Sequence, residues 1–85
     1  MLTPAQCRAA RGLIDWSQME LAERAGVGIV TIRQLEAGNH APRRATLDVV
    51  RRALEAFGVE FIEENGGGPG VRLHKSTPAT ERNNP

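Results

Sequence analysis

"LAERAGVGIVTIRQLEAG", Leu21 to Gly38, decides how this chain is read. It opens with a short segment whose apolar residues keep helical spacing, breaks at "AGVG" (Ala25–Gly28), and starts a second segment of the same kind. Each would make a helix of about eight residues, and isolated helices below roughly 12–15 residues are marginal in water. The two segments must therefore brace each other across a tight turn, and the braced pair presents one face to the outside.

The flanking sequence continues the helical pattern. "TPAQ" at Thr3–Gln6 is a helix start, with Thr3 as N-cap, Pro4 at the first helical position and Gln6 completing a capping box. That helix runs to Leu13 or Ile14 with Cys7, Ala10 and Ile14 on its buried stripe. "SQME" at Ser17–Glu20 is a second capping box and begins a helix with Leu21, Ala22 and Ala25 inward. Gly26 is the expected left-handed C-terminal residue, after which Val27 packs back on the core. Gly28 stands where Ser or Thr would ordinarily cap the third helix, Ile29–Ala37, which Gly38 ends. "NHAP" is loop, and Arg44–Phe57 is a fourth helix with Leu47, Val50, Ala53, Leu54 and Phe57 at helical spacing.

After Gly58 the period changes to two. Val59 and Phe61 alternate with Glu60, "NGGGPG" is a loop, and Val71 and Leu73 share a face, so residues 59–64 and 71–75 read as a β-hairpin. "STPATERNNP" has almost no apolar side chain and is expected to be disordered. The chain thus divides into a helical domain (1–58), a hairpin (59–75) and a tail (76–85).

Composition narrows the function. A single cysteine, Cys7, allows no internal disulfide and points to a reducing compartment, while the first twenty residues hold no long apolar run. The expectation is a cytoplasmic protein with no membrane segment. Net charge is only +1, but residues 1–58 carry eight arginines and no lysine against six acidic residues. Arg33, Arg43, Arg44, Arg51 and Arg52 cluster mid-chain, and such placement matters more than the sum. His40 and His74 lack metal-ligand partners at useful spacing, and "GGGPG" is followed by neither a helix nor "GK[ST]", so neither a zinc nor a phosphate-loop site is read here. No paired carboxylates or nucleophile–base set appears. The sequence reads as a non-enzyme without cofactors.

From Gln18 to Ala37, a small residue stands at the fifth position, Gly at the ninth, and apolar residues at the fifteenth and eighteenth: Ala22, Gly26, Ile32 and Leu35. This resembles the helix-turn-helix signature, a unit whose second helix projects far enough to enter a DNA major groove. With "SQMELA", "AGV", "TIRQLEAG" and Arg11 six residues before Ser17, residues 5–59 resemble the phage-repressor (xenobiotic-response-element, Cro-like) family. The resemblance implies a mostly α, lambda-repressor-like bundle of four to five helices, here followed by the hairpin in place of a fifth family helix.

It also implies roles. Arg11 and Glu36 would form a mostly buried, structural ion pair. Gln18 and Gly28 would lie at phosphates, Arg43 and Arg44 would clamp the DNA backbone, and Ile29, Val30, Thr31 and Gln34 would face bases, with Arg33 reaching a guanine or a phosphate. Gln34 suits adenine, and Ile29 or Val30 suits thymine methyls. Trp16 occupies a family core-Leu position. The expected function is a sequence-specific transcriptional regulator of bacterial type, a repressor, binding double-stranded operator DNA as a homodimer. Two alternatives stand beside it: an antitoxin whose hairpin or tail meets a toxin, and a protein-interaction module that has lost DNA binding. Val59, Phe61 and Ile62 are more apolar than a solvated ribbon needs, so the hairpin either packs on its own helices or adds strands across a two-fold axis.

Overall fold

The computed structural model describes residues 2–39 and 42–74. Expectations placed on His40 and on residues 75–85, including the tail, lie outside the described residues. Four helices, α1 (Pro4–Ile14), α2 (Gln18–Ala25), α3 (Ile29–Ala37) and α4 (Arg44–Ala56), precede an antiparallel hairpin of β1 (Val59–Ile62) and β2 (Gly70–Leu73).

The helix ends follow from local chemistry. The Thr3 hydroxyl accepts the Gln6 N–H at 3.0 Å and Gln6 Oε1 accepts the Thr3 N–H at 3.1 Å, a complete capping box. At α2 only half of the expected box forms. The Ser17 hydroxyl accepts the Glu20 N–H, but the Glu20 carboxylate turns forward to Arg24 at 2.7 Å, one helical turn on, instead of back to Ser17. Gly26 adopts φ +74°, and its N–H and that of Val27 both close on the Ala22 carbonyl, so the chain reverses within two residues.

Every helix turns its apolar stripe inward. Cys7 and Ala10 of α1, Leu21 and Ala22 of α2, Ile32 and Leu35 of α3, and Leu47, Val50 and Leu54 of α4 are buried, with Trp16 beside them. Trp16 packs on Phe57 at a ring separation of 5.0 Å, and the Arg24 guanidinium lies over its outer side. Ile14 and Ala25 are only partly buried.

The hairpin closes the core from the other end. Val59 and Phe61 are buried, β1 lies against α4, and β2 against α1. Its strands are shorter than the alternation suggested, because Glu63 and Glu64 leave the ladder for the glycine-rich loop. Register pairs Val59 with Leu73 and Phe61 with Val71, putting these four on the core face. Glu60 and Arg72 pair on the outer face, at 2.9 Å. Gln6 fastens this unit to α1. While its Oε1 completes the capping box, its Nε2 donates to the carbonyls of Ile62 (3.2 Å) and Gly70 (3.0 Å), the last pair of the ladder.

A polar node ties three helices together. Glu36 of α3 is 4% exposed, yet its carboxylate accepts four hydrogen bonds. Arg11 of α1 donates through Nε to Oε2 (2.7 Å) and through Nη2 to Oε1 (2.8 Å), Gln18 of α2 donates to Oε1 (3.0 Å), and the Cys7 thiol to Oε2 (3.1 Å). Arg11 Nη1 also reaches the Trp16 carbonyl, and Arg8 donates to the Glu36 carbonyl near the end of α3. Burial alone would raise the Glu36 carboxyl. The hydrogen bonds from Arg11, Gln18 and Cys7 outweigh it and hold the group below its ordinary value. Cys7 is pushed the other way, first by burial and then by its bond to Glu36, so the thiol stays protonated and remains a donor.

Four outcomes follow from this architecture. Arg11→Met strands a buried carboxylate and should cost about 3–5 kcal/mol in urea unfolding at pH 7, whereas Arg11→Met with Glu36→Met should recover much of the loss. Because the folded Glu36 carboxyl lies below its unfolded value, its contribution is complete above the ordinary carboxylate range and is lost as pH falls through the folded value. Glu36→Gln should flatten that acid limb of the stability profile. Gln6→Glu keeps the acceptor of the capping box but removes both donors to the hairpin, and should lower unfolding free energy by about 1–3 kcal/mol. Gly28, the N-cap of α3, has φ −75° and open space where a Cβ would stand. Gly28→Ser should therefore raise stability by about 0.5–1 kcal/mol, and an unchanged or lowered midpoint would contradict the cap assignment.

Candidate nucleic-acid interface

α3 is divided lengthwise. Ile32, Leu35 and Glu36 are locked into the body, so the i, i+3, i+4 row of Val30, Arg33, Gln34 and Ala37 faces outward, and all four are exposed. Val30 is 57% exposed, a large fraction for an apolar side chain near a helix start. Thr31 is half-buried on one flank. Ile29 is also half-buried and packs partly on the core, which leaves it less surface for an outside partner than Val30 has. The body holds α3 from α1 through Arg8 and Arg11 and from α2 through Gln18, so this row is carried on a fixed support.

The leading end of α3 is bare. Gly28 supplies no side-chain cap, and the Thr31 N–H turns back to the Gly28 carbonyl at 3.1 Å, leaving the N–H groups of Ile29 and Val30 without an intrahelical partner. The helix dipole adds partial positive charge there. Gln18, the first residue of α2, is half-buried and gives one amide N–H to Glu36. Among the described residues nothing else takes its second N–H or its carbonyl oxygen.

Charge pairing separates the arginines into two sets. Arg11, Arg24, Arg51 and Arg72 are each held by a carboxylate, and Arg51 holds two, Glu55 and Glu63. Arg8, Arg33, Arg43, Arg44 and Arg52 are exposed and make no ion pair among the described residues, Arg8 being held by the Glu36 main-chain carbonyl instead. Arg43 is the N-cap of α4 and Arg44 its first residue, and neither gives a side-chain capping bond. Two guanidinium groups at the positive end of a helix are unfavourable for the protein alone and become favourable beside an anion.

Among the site residues expected from sequence, Arg11, Gln18 and Glu36 come together in the node; Val30, Arg33 and Gln34 share one face; Arg43 and Arg44 sit a short loop after α3. Arg8 was not anticipated in any role. It lies one turn before Arg11, and that spacing on one helix face is the signal that could have found it. Among the described residues no three His, Cys, Asp or Glu side chains group closely enough for a metal ion, and no helix is long and apolar enough to cross a membrane.

A nine-residue helix spans about 13 Å, and with side chains its width matches the roughly 12 Å major groove of B-DNA. No curated protein matches the chain. The helix-turn-helix family model does, over residues 8–63, which take in most of α1, all of α2, α3 and α4, and β1. With that match across more than half its length, the chain belongs to the helix-turn-helix family of the xenobiotic-response-element type, a family of DNA-binding regulators.

Proposed function

We propose that this protein is a sequence-specific transcriptional repressor that acts in the cytoplasm and binds operator DNA as a homodimer through α3. The observation that carries the reading is the division of α3: one side clamped by the core and the Glu36 node, the other offering Val30, Arg33 and Gln34 to solvent. In a major groove, Gln34 offers the paired donor and acceptor that adenine needs, and Val30 offers a methyl surface to thymine. Arg33 reaches a guanine or a phosphate. The unpaired Arg43 and Arg44 and the N–H groups at the start of α3 would hold phosphates, with Gly28 allowing close backbone approach and Gln18 adding an amide donor.

Repression is the simplest output of such a molecule, since occupancy of an operator blocks other proteins from the same DNA. Only Arg33 and Gln34 of the outward row are polar and long, so one half-site carries few base contacts. Selectivity would come from two half-sites read together, and that is the functional reason for a dimer.

Selection of bound duplexes from a random pool at near-physiological salt should enrich inverted repeats with half-sites about 10 base pairs apart. No enrichment over input would overturn the reading in favour of a protein-binding module. On the enriched site Gln34→Ala should weaken binding about 10- to 100-fold while leaving random DNA binding unchanged, as expected for a lost bidentate base contact. Arg43→Ala and Arg44→Ala should instead weaken binding to all sequences alike, and each should reduce the slope of log K against log salt by about 1.

A further inference from the structure

β2 is an open edge. The His74 N–H donates to the Gly58 carbonyl at 2.9 Å, which makes residues 58 and 74 a hydrogen-bonded pair of the antiparallel ladder. Such pairs alternate, so Glu60 with Arg72 and Ile62 with Gly70 are hydrogen-bonded, whereas Val59 with Leu73 and Phe61 with Val71 are not. The N–H and C=O groups of Val71 and Leu73 therefore point away from β1, and no cap, loop or side-chain hydrogen bond among the described residues reaches them. Pro69 stands at the next outward position and lacks an N–H. The corresponding edge of β1 is different: Val59 and Phe61 are buried and the strand lies against α4. On β2, Val71 is half-buried and Leu73 is 38% exposed, so apolar surface and unpaired main chain coincide.

We infer that β2 pairs with β2 of a second copy of this chain, antiparallel across a two-fold axis at Val71, joining the two hairpins into one four-stranded sheet. The inference takes the homodimer of the proposed function and assigns it an edge and a register. Val71 faces Val71 of the second copy and exchanges two main-chain hydrogen bonds with it, and each Leu73 N–H reaches the Pro69 carbonyl of the other chain. Pro69 supplies the carbonyl but has no N–H to return, so the Leu73 carbonyl stays at the open end of the ladder, where the 38% exposure of Leu73 leaves it to water. On the core face the row Phe61–Val71 continues into the same row of the second copy, and Leu73 is covered by Pro69.

The outer face selects this register over its neighbour. With the axis at Val71, Arg72 of one chain lies opposite Gly70 of the other. Gly70 has no side chain, and next to it is Ile62, 37% exposed, against which the Arg72 stem packs. With the axis at Arg72, two Arg72 side chains would stand directly opposite each other, and the Glu60 carboxylate that each already binds in its own hairpin only partly offsets that like-charge approach. The second copy is the fitting occupant because this edge is complementary to itself: each chain brings the methyls, the donor and the glycine that the other requires.

Sedimentation of the whole chain without DNA tests the pairing independently of any operator. The wild-type chain should sediment at twice the chain mass at micromolar concentration. Val71→Pro removes only an outward N–H, so it should sediment at the single-chain mass with its helical circular dichroism kept. Register is read by charge at position 70, where a Cβ meets Ile62 only at an ordinary 3.8 Å. Gly70→Glu should tighten the dimer about fivefold and Gly70→Lys weaken it about fivefold, through two symmetric pairs with Arg72. These two variants also serve should Val71→Pro fail to fold. A wild-type chain that stays single, a Val71→Pro dimer, or Gly70→Glu and Gly70→Lys dimers of equal strength would overturn the inference, and none of these results touches the reading of α3.

Discussion

The carboxylate of Glu36 is the point on which the rest of this small structure depends. Three helices of eleven, eight and nine residues are each too short to persist alone. Their apolar stripes bring them together, but apolar packing is non-directional and tolerates sliding. A buried carboxylate with two oxygens and four donors does not. Arg11 fixes the angle between α1 and α3 by its bidentate fork, and Gln18 fixes the start of α2 against the end of α3. Moving any of the three helices would leave a buried charge short of partners, which costs far more than a shifted leucine. The node thus turns a loose apolar contact into a defined pose of α3, and a defined pose is what reading a base edge requires.

The same residue explains why the outward face of α3 is sparse in charge. Glu36 is the helix's only acidic residue, and it is spent inward, so nothing negative remains on the row of Val30, Arg33 and Gln34. Glu20, Glu55 and Glu60 lie elsewhere and neutralise arginines on α2, α4 and the hairpin. A net charge of +1 conceals this, because the balance is struck by pairing off one set of arginines and leaving the other set free. On the proposed reading, electrostatic attraction to DNA would come from Arg33, Arg43 and Arg44 and not from the molecule as a whole.

Much of this was legible from sequence, and the reason is local. Helix starts and stops are decided by neighbours within four residues, so Thr3, Pro4, Gly26 and Gly38 marked ends that the structure places at the same residues. The inward and outward sides of α3 follow from a period of 3.6 and needed no tertiary information. What stayed hidden depends on choices between partners. Glu20 could complete a capping box or pair with Arg24, and the ion pair wins. Gln6 was visible as a cap but not as the donor to Ile62 and Gly70, since those carbonyls lie more than fifty residues away. Arg8 carried no reading from sequence, because its partner is a main-chain carbonyl at the far end of α3. Alternation gave the hairpin its existence and its core face, but not its length, because the glycine-rich loop takes up Glu63 and Glu64.

Gln6 also joins the two halves of the molecule in a way that bears on how a dimer could form. A two-stranded ribbon is barely stable by itself, so an edge on a free hairpin would be a poor template for a second chain. Here the last rung of the ladder is pinned by an amide that is itself held by the first turn of α1, and Phe61 is seated under the Arg51 guanidinium at 5.0 Å. The edge is therefore rigid before it meets a partner, and pairing does not have to order the strand that it uses. Ordering entropy, which usually opposes association, is in this case already met by the monomer fold. A short edge of three outward positions, Pro69, Val71 and Leu73, can then be sufficient, where a flexible hairpin would need a longer one. In such a dimer the same argument would set α3 at a constant distance and angle from the two-fold axis, since α1 carries both the hairpin latch and the Glu36 clamp. A spacing between half-sites would be read through that one helix.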